Sequence, residues 1–201
     1  MSFETTVLDG SDMARTLARI AHEIVEGHPD PSTLVLVGIH TRGAVLARRL
    51  QERLTALLDR PVPLGDIDIA FYRDDLETRG TAADPVIHGT HLDGIPLEGR
   101  SVVLVDDVLF SGRTIRAAIE AIFDYGRPDR VQLAVLIDRG HRELPFRADY
   151  VGKNLPTSVA ERVNVRVSET DGRDEVAIER RPAPRPAASP DDDAPRPRPA
   201  A

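Results

Sequence analysis

Residues Val102 to Ala118 read VVLVDDVLFSGRTIRAA, and their types and order point to chemistry on a phosphorylated sugar. An apolar run enters two adjacent carboxylates, Asp106 and Asp107, and a short loop containing Gly112 leads straight into a helical pattern. A strand of this kind delivers acids to a crevice at its carboxyl end. The turn after it offers backbone N–H groups and a helix amino terminus to an anion. Carboxylates accept hydrogen bonds from a sugar diol, whereas Ser111, Gly112, Arg113 and Thr114 donate to a phosphate. The plainer alternative is that the two acids only cap the next helix and Gly112 only turns the chain. Walker A chemistry is disfavoured because no Gly-Lys-Ser/Thr follows a longer glycine-rich run, and the glycine triplet of a dinucleotide fold is missing.

A second turn, His40-Thr41-Arg42-Gly43, follows the apolar run Thr33 to Ile39 (TLVLVGI). Ends of parallel strands on one side of a sheet converge, so this turn should face the first. By itself it also fits an ordinary strand-to-helix turn.

The elements that must position these residues alternate as in an α/β fold. Asp12 to Glu26 sets Met13, Leu17, Ile20, Ala21 and Ile24 on one face, with Ser11 or Asp12 as cap and Gly27 with Pro29 as stop. Strands are expected at 33–39, 67–71, 101–105 and 131–137, and helices at 44–58 and 114–125. Val163 to Val167 and Val176 to Ile178 flank Asp171-Gly172, a hairpin signal. Residues 72–99 are polar, without sustained periodicity, and read as a long mobile loop. The segment 180–201 is Pro, Ala, Arg and Asp without a large apolar residue, so a disordered tail is expected after one domain over 1–179.

Composition narrows the classes further. The 201 residues contain no Cys, which excludes disulfides, Cys-ligated zinc, iron–sulfur clusters and thiol nucleophiles. No apolar run approaches the ~20 residues of a membrane span, and the start of the chain lacks the pattern of a secretory signal, so the cytoplasm is the expected address. Net charge is −7, and the five Arg against three Asp from Arg180 onward leave the rest more acidic still. Such a domain repels nucleic acid at long range, and an RNA partner would need a local basic patch. All basic side chains but Lys153 are guanidinium groups, suited to bidentate phosphate contacts.

The whole run of apolar residues, two acids and Ser-Gly-Arg-Thr resembles the phosphoribosyl pyrophosphate (PRPP) motif of the type I phosphoribosyltransferases. The fold this implies is α/β, with a mainly parallel central sheet flanked by helices, a small hood and a mobile loop. Four further stretches closely resemble the PyrR family over roughly residues 3–179: Asp66 to Asp75, Gly126-Arg127-Pro128, Ile137 to Pro145 (IDRGHRELP) and Arg147 to Asn154 (RADYVGKN). That resemblance implies a regulator of pyrimidine biosynthesis genes that binds leader mRNA in response to UMP or UTP. It also implies a uracil phosphoribosyltransferase converting uracil and PRPP to UMP and pyrophosphate, with Mg²⁺ as cofactor.

By position, Asp106 and Asp107 would hold the ribose hydroxyls and reach Mg²⁺ through PRPP. The loop Val108, Leu109, Phe110, Ser111, Gly112, Arg113 and Thr114 would hold the 5′-phosphate, and Thr41, Arg42 and Gly43 the pyrophosphate. Tyr72 and Arg73 would open the mobile loop, with Arg73 joining Arg42, Asp106 and Asp107 in catalysis. Arg139 would line the cleft, and Tyr150, Val151 and Val163 would read the base. Related purine enzymes carry an acid where Phe110 stands, so no general base is assigned, and no lid lysine favours orotate.

Arg15, Arg19 and His22 share one helical face by spacing. The resemblance adds His141, Arg142, Arg147 and Lys153 to an RNA-binding patch, and implies a homodimer or higher homo-oligomer. His88 and His91 have the spacing of a metal pair but lack a third ligand in the sequence and read as solvated. Two further readings remain: a uracil salvage enzyme without RNA binding, and a non-catalytic PRPP/UMP sensor.

Overall fold

Buried, β-branched runs dictate the centre of the molecule. The computed structural model describes residues 3–69 and 89–180. In it, Leu34–Ile39 (β2) is buried at every position and Ser101–Leu109 (β4) is buried along its first six residues. Side chains alternate across a strand, so one sheet supplies two cores. Val103 and Val105 join one cluster, whereas Val102 and Leu104 join the other.

The chain begins with β1 (Phe3–Asp9) and α1 (Gly10–Gly27), then passes through β2 into α2 (Arg42–Leu58) and β3 (Leu64–Ile67). After β4 come α3 (Arg113–Tyr125), β5 (Arg130–Asp138), β6 (Tyr150–Asn154), β7 (Glu161–Arg166), a helical turn α4 (Ser168–Asp171) and β8 (Glu175–Arg180). Five parallel strands pair in the order β3-β2-β4-β5-β6. α1 and α2 pack on one face of this sheet and α3 on the other. A three-stranded antiparallel sheet, β1-β8-β7, forms the expected hood.

The apolar stripe Met13, Leu17, Ile20, Ala21 and Ile24 is the buried face of α1, as its spacing predicts. Its cap is Asp9, not Ser11 or Asp12. Asp9 accepts from the Asp12 N–H, and the Asp12 carboxylate reaches back to the Asp9 N–H, so the helix starts two residues early. The strand expected at 67–71 begins earlier, at Leu64, because Leu36 pairs with Leu64, and ends at Ile67; residues 70 and 71 lie outside the described residues.

β1 and β6 carried no clear alternation in the sequence. β1 is an exposed strand held by β8, and β6 is set by its parallel register with β5. β7 and β8 pair antiparallel as the Asp171-Gly172 signal predicts, though not through a two-residue turn. α4 intervenes, and Gly172 supplies the left-handed residue that ends it.

Two boundaries also move. Leu92 and Leu97, expected in the long loop, are buried in the core on the α3 side, so 89–99 packs against the sheet; the rest of that loop, 70–88, lies outside the described residues. Arg180 belongs to β8, paired with Phe3 and Glu161, so the tail expected from 180 begins no earlier than 181, outside the described residues. Among the described residues, no helix is long and apolar enough to cross a membrane.

Close packing of β2 and α2 needs glycine. A Cβ on Gly38 would fall 2.5 Å from Ala44 Cα and 2.9 Å from the Gly43 carbonyl oxygen, both backbone atoms that cannot yield cheaply. Gly38→Ala should therefore cost about 1–3 kcal/mol of stability, read as a lower urea midpoint at unchanged slope.

Candidate functional site

The parallel register of β2 and β4 (Gly38 opposite Val105) brings the two predicted loops to one edge of the sheet. At that edge a cavity of ≈ 380 Å³ is lined by Asp106, Val108, Leu109, Phe110, Ser111, Gly112, Arg113, Thr114, Ile115 and Glu143. α3 starts there with Gly112 in the left-handed region (φ 93°), without a side-chain cap and without an acid in its first turn. Apart from the Arg113 N–H, which makes a long 3.4 Å contact with Ser111 Oγ, its first N–H groups and its dipole are thereby available to an anion. The predicted cradle residues meet in this cavity, with Asp107 as the exception.

Asp107 faces the other way, as strand alternation requires. It lines a second cavity of ≈ 340 Å³ with Arg42, Arg162, Val163, Asn164, Val165, Arg166 and Glu179. Asp106 Oδ1 accepts the Asp107 N–H at 2.9 Å, and Asp107 Oδ1 accepts the Val108 N–H at 2.8 Å. Burial pushes the Asp107 carboxyl up, against the opposing pull of the Val108 N–H and the Arg42 guanidinium.

At the facing turn, the His40–Thr41 peptide is cis and Thr41 is exposed. Gly43 lies so close to β4 that a Cβ would fall 2.5 Å from the Val105 carbonyl oxygen and 3.1 Å from Asp106 Cα. Arg42 is not turned toward the cradle. It donates from Nε and Nη2 to Asp171 at 3.1 and 2.7 Å, tying α2 to the hood. Two helical turns later Arg49 makes the same kind of tie to Glu169 and Asp174. The Arg42 contact, ahead of other causes, keeps the Asp171 carboxyl below its usual range.

Several residues sit elsewhere than the sequence suggested. Tyr150 does not reach the cleft: it is in the core below α1, hydrogen-bonded to Gln132 and packed against Gly27 and His28. Val151 packs against the core on the α3 side. Pairing of Ala134 with Tyr150 and of Asp138 with Asn154 places the start of β6 deep in the sheet. The loop after β6, Leu155 to Val159, runs beside the end of β5, where the Leu155 N–H binds the Asp138 carbonyl and Arg139 binds Thr157 and Ser158. Val163 does reach the second cavity.

Arg139 is buried, donating to Thr157 Oγ1 and to the Ser158 and Glu161 carbonyls, and its guanidinium lies 4.3 Å from the centroid of the Phe110 ring. It meets the cleft through that stacked, partly exposed ring.

The basic patch is smaller than the sequence implied. Arg142 donates to the carbonyls of Leu109, Phe110, Gly140 and Phe146 and pairs with Asp138, so it clamps the cradle loop. His141 bonds the Thr157 carbonyl and lies edge-on to Phe110. Glu143 and Leu144 donate N–H groups to the Ser111 carbonyl, and Glu143 holds Arg113 at 2.7 Å. No pattern in the sequence signals this clamp, because residues 139–142 form a loop after β5, where spacing does not fix which side chains meet.

Arg15, Arg19, His22, Arg147 and Lys153 are exposed. Arg15 pairs with Asp12. Arg19 pairs with Glu23 and donates to the Val151 and Gly152 carbonyls, so α1 and β6 share a continuous surface. Arg73 and Tyr72 lie outside the described residues.

The model of the phosphoribosyl transferase domain family matches residues 4–169. A "Bifunctional protein PyrR" of Streptomyces coelicolor is 58% identical over 88% of this chain and 90% of its own length. Another PyrR, from Chloroflexus aurantiacus, is 55% identical over 89% and 96%. Among solved structures, a hypoxanthine phosphoribosyltransferase of Trypanosoma cruzi superposes with a TM-score of 0.65 at 21% identity, covering 88% of this chain and 91% of that one. One from Staphylococcus aureus reaches 0.62 at 20%, covering 86% and 90%. At such identities these two speak for the fold alone.

Two outcomes test the site. Arg142→Ala should lose about 2 kcal/mol or more in urea unfolding and bind PRPP more weakly, and Arg142→Lys should not rescue it, because one ammonium cannot serve the several carbonyls that the guanidinium spans. The second concerns Asp107, whose folded-state pKa lies above its unfolded value near ~4. Its ionised form therefore costs stability at every pH above that value. Asp107→Asn should melt higher than the parent at neutral pH, with the gap closing as pH falls toward ~4.

Proposed function

We propose that this chain, which belongs to the phosphoribosyl transferase domain family and within it to the PyrR proteins, transfers the phosphoribosyl group of PRPP to uracil and regulates pyrimidine genes by binding their leader mRNA. The observation that carries the transferase reading is the uncapped start of α3 beside Asp106, set against the His40–Gly43 turn at the same sheet edge.

In this reading the Ser111 to Thr114 loop takes the 5′-phosphate and Asp106 accepts the ribose hydroxyls. Asp107 adds its charge from the second cavity. Arg42 exchanges the Asp171 carboxylate for pyrophosphate oxygens, aided by the exposed backbone of Thr41. Positive charge develops on the ribose as pyrophosphate leaves, and Asp106 stabilises it at the cradle while Asp107 acts at longer range from the second cavity. Mg²⁺ fits a site of this composition, since it is a hard ion that takes carboxylate and phosphate oxygens. Bound through PRPP and one of these acids, it would neutralise charge on the leaving group. The Phe110 ring, stiffened by Arg139, supplies an apolar platform suited to a pyrimidine, and the Leu155 to Val159 loop takes over the base-reading role that Tyr150 and Val151 cannot fill.

For RNA, the candidate surface is the α1–β6 face: Arg15, Arg19, His22 and Lys153, with Arg147 beyond them. Contacts of this kind position phosphates first and read bases where the RNA is unpaired. A cytoplasmic homodimer or higher oligomer completes the reading. The exposed Phe123 and Tyr125 of α3 are apolar surface that such assembly would cover.

Labelled uracil with PRPP and Mg²⁺ should yield UMP, and Asp107→Asn should weaken PRPP binding at least tenfold. No UMP from folded protein rejects catalysis and leaves the sensor reading. Filter binding to the leader RNA should strengthen with UMP and weaken several-fold in a combined Arg15→Ala, Lys153→Ala variant. Retention that ignores UMP would reject regulation in favour of salvage alone.

A further inference from the structure

His40, Asp66 and His91 are distant in sequence, and none lines either cavity or was assigned a contact to PRPP, yet their side chains meet at one point. His40 follows the last residue of β2, Asp66 lies within β3, and His91 stands in the segment that packs beside β3. Main-chain bonds fix all three. The His40 N–H donates to the Ile67 carbonyl at 2.9 Å, and the His91 N–H donates to the Asp66 carbonyl at 2.9 Å. Both rings then turn to the same carboxylate oxygen: His40 Nε2 lies 2.5 Å and His91 Nδ1 2.9 Å from Asp66 Oδ1. All three candidate donor atoms fall within 4.8 Å of one another.

Two imidazole nitrogens and a carboxylate oxygen are the donor set of a borderline metal ion, with a further position left for water. At metal–ligand bonds of about 2.0–2.1 Å, tetrahedral donors stand about 3.3 Å apart. Both ring nitrogens stand closer than that to Asp66 Oδ1, at 2.5 and 2.9 Å, the contacts of a metal-free hydrogen-bonded cluster that an ion would spread apart. Mg²⁺ suits this set poorly, because it demands oxygen donors and keeps its waters.

We propose that His40, Asp66 and His91 form a binding site for a divalent transition metal of the Zn²⁺ type, separate from the Mg²⁺ that accompanies PRPP. The ion ties the segment containing His91 to the residue that precedes Thr41, and so braces the outer corner of the β2–α2 turn.

The test is equilibrium dialysis of the full chain against micromolar Zn²⁺ or Co²⁺ with millimolar Mg²⁺ present. It is followed by metal analysis, and for Co²⁺ by its visible ligand-field bands. The expected result is one equivalent retained per chain, bands of four- or five-coordinate Co²⁺, and a melting temperature raised by Zn²⁺ but not by Mg²⁺. His91→Gln should weaken retention at least tenfold and abolish the Zn²⁺-dependent rise in melting temperature. His91 is largely exposed, so its metal-free variant should melt with the parent. Asp66→Asn, as a second variant, should also lose the ion. Failure of the parent chain to retain an equivalent, or retention unchanged in both variants, would overturn the site, whatever the outcome of the uracil assay.

Discussion

Everything at the site depends on the parallel pairing of β2 with β4. That register, running from Leu34 opposite Ser101 to Gly38 opposite Val105, ends β2 beside the two acids of β4, which itself runs on to Leu109. Two loops separated by over sixty residues of chain thereby open onto one edge. Gly38 and Gly43 let α2 approach closely enough for the arrangement to close, since at each position any side chain would strike backbone. The energetic footing is ordinary. Two apolar clusters, one on each face of a single sheet, hold the strands rigid, and the reactive groups stand where the strands run out.

The two adjacent acids are not equivalent, and their difference comes from alternation along β4. Asp106, itself buried, lines the cradle beside the start of α3, whereas Asp107 is half-buried and faces the hood, near Arg42 and Arg166. Desolvation raises the proton affinity of Asp107. A fold under pressure for stability alone would not keep a carboxylate there, which agrees with a role toward ligand. Charge is thus divided between two cavities rather than concentrated in one.

The hood is joined to this centre through guanidinium groups on one face of α2. Arg42 and Arg49 reach Asp171, Glu169 and Asp174 across the gap between the two sheets. On the opposite flank, Arg142 threads the loop after β5 onto the cradle carbonyls, and Arg139 braces Phe110 against the loop after β6. Arginine suits these ties because its planar fork satisfies several oxygens at once. The bias toward arginine seen in the composition is therefore spent in large part on architecture. The exposed basic surface that remains is accordingly narrower, centred on α1 and the end of β6.

The cradle was legible in the sequence because its determinants are local. An apolar run, two acids, a glycine with positive φ and a helix start lie within seventeen consecutive residues, and each follows from backbone geometry alone. The stripe of α1 and the alternation of strands with helices were legible for the same reason. What only the tertiary structure decided involves contacts between distant segments. Asp9 rather than Ser11 caps α1, Tyr150 sinks into the core, Arg142 turns inward as a clamp, and His91 finds Asp66 and His40. Periodicity tells which face of an element is apolar, but not which strand becomes its neighbour or in what register. Those are set by packing of the whole chain, and a shift of one residue in β6 or β3 would have exchanged the buried side chains for the exposed ones.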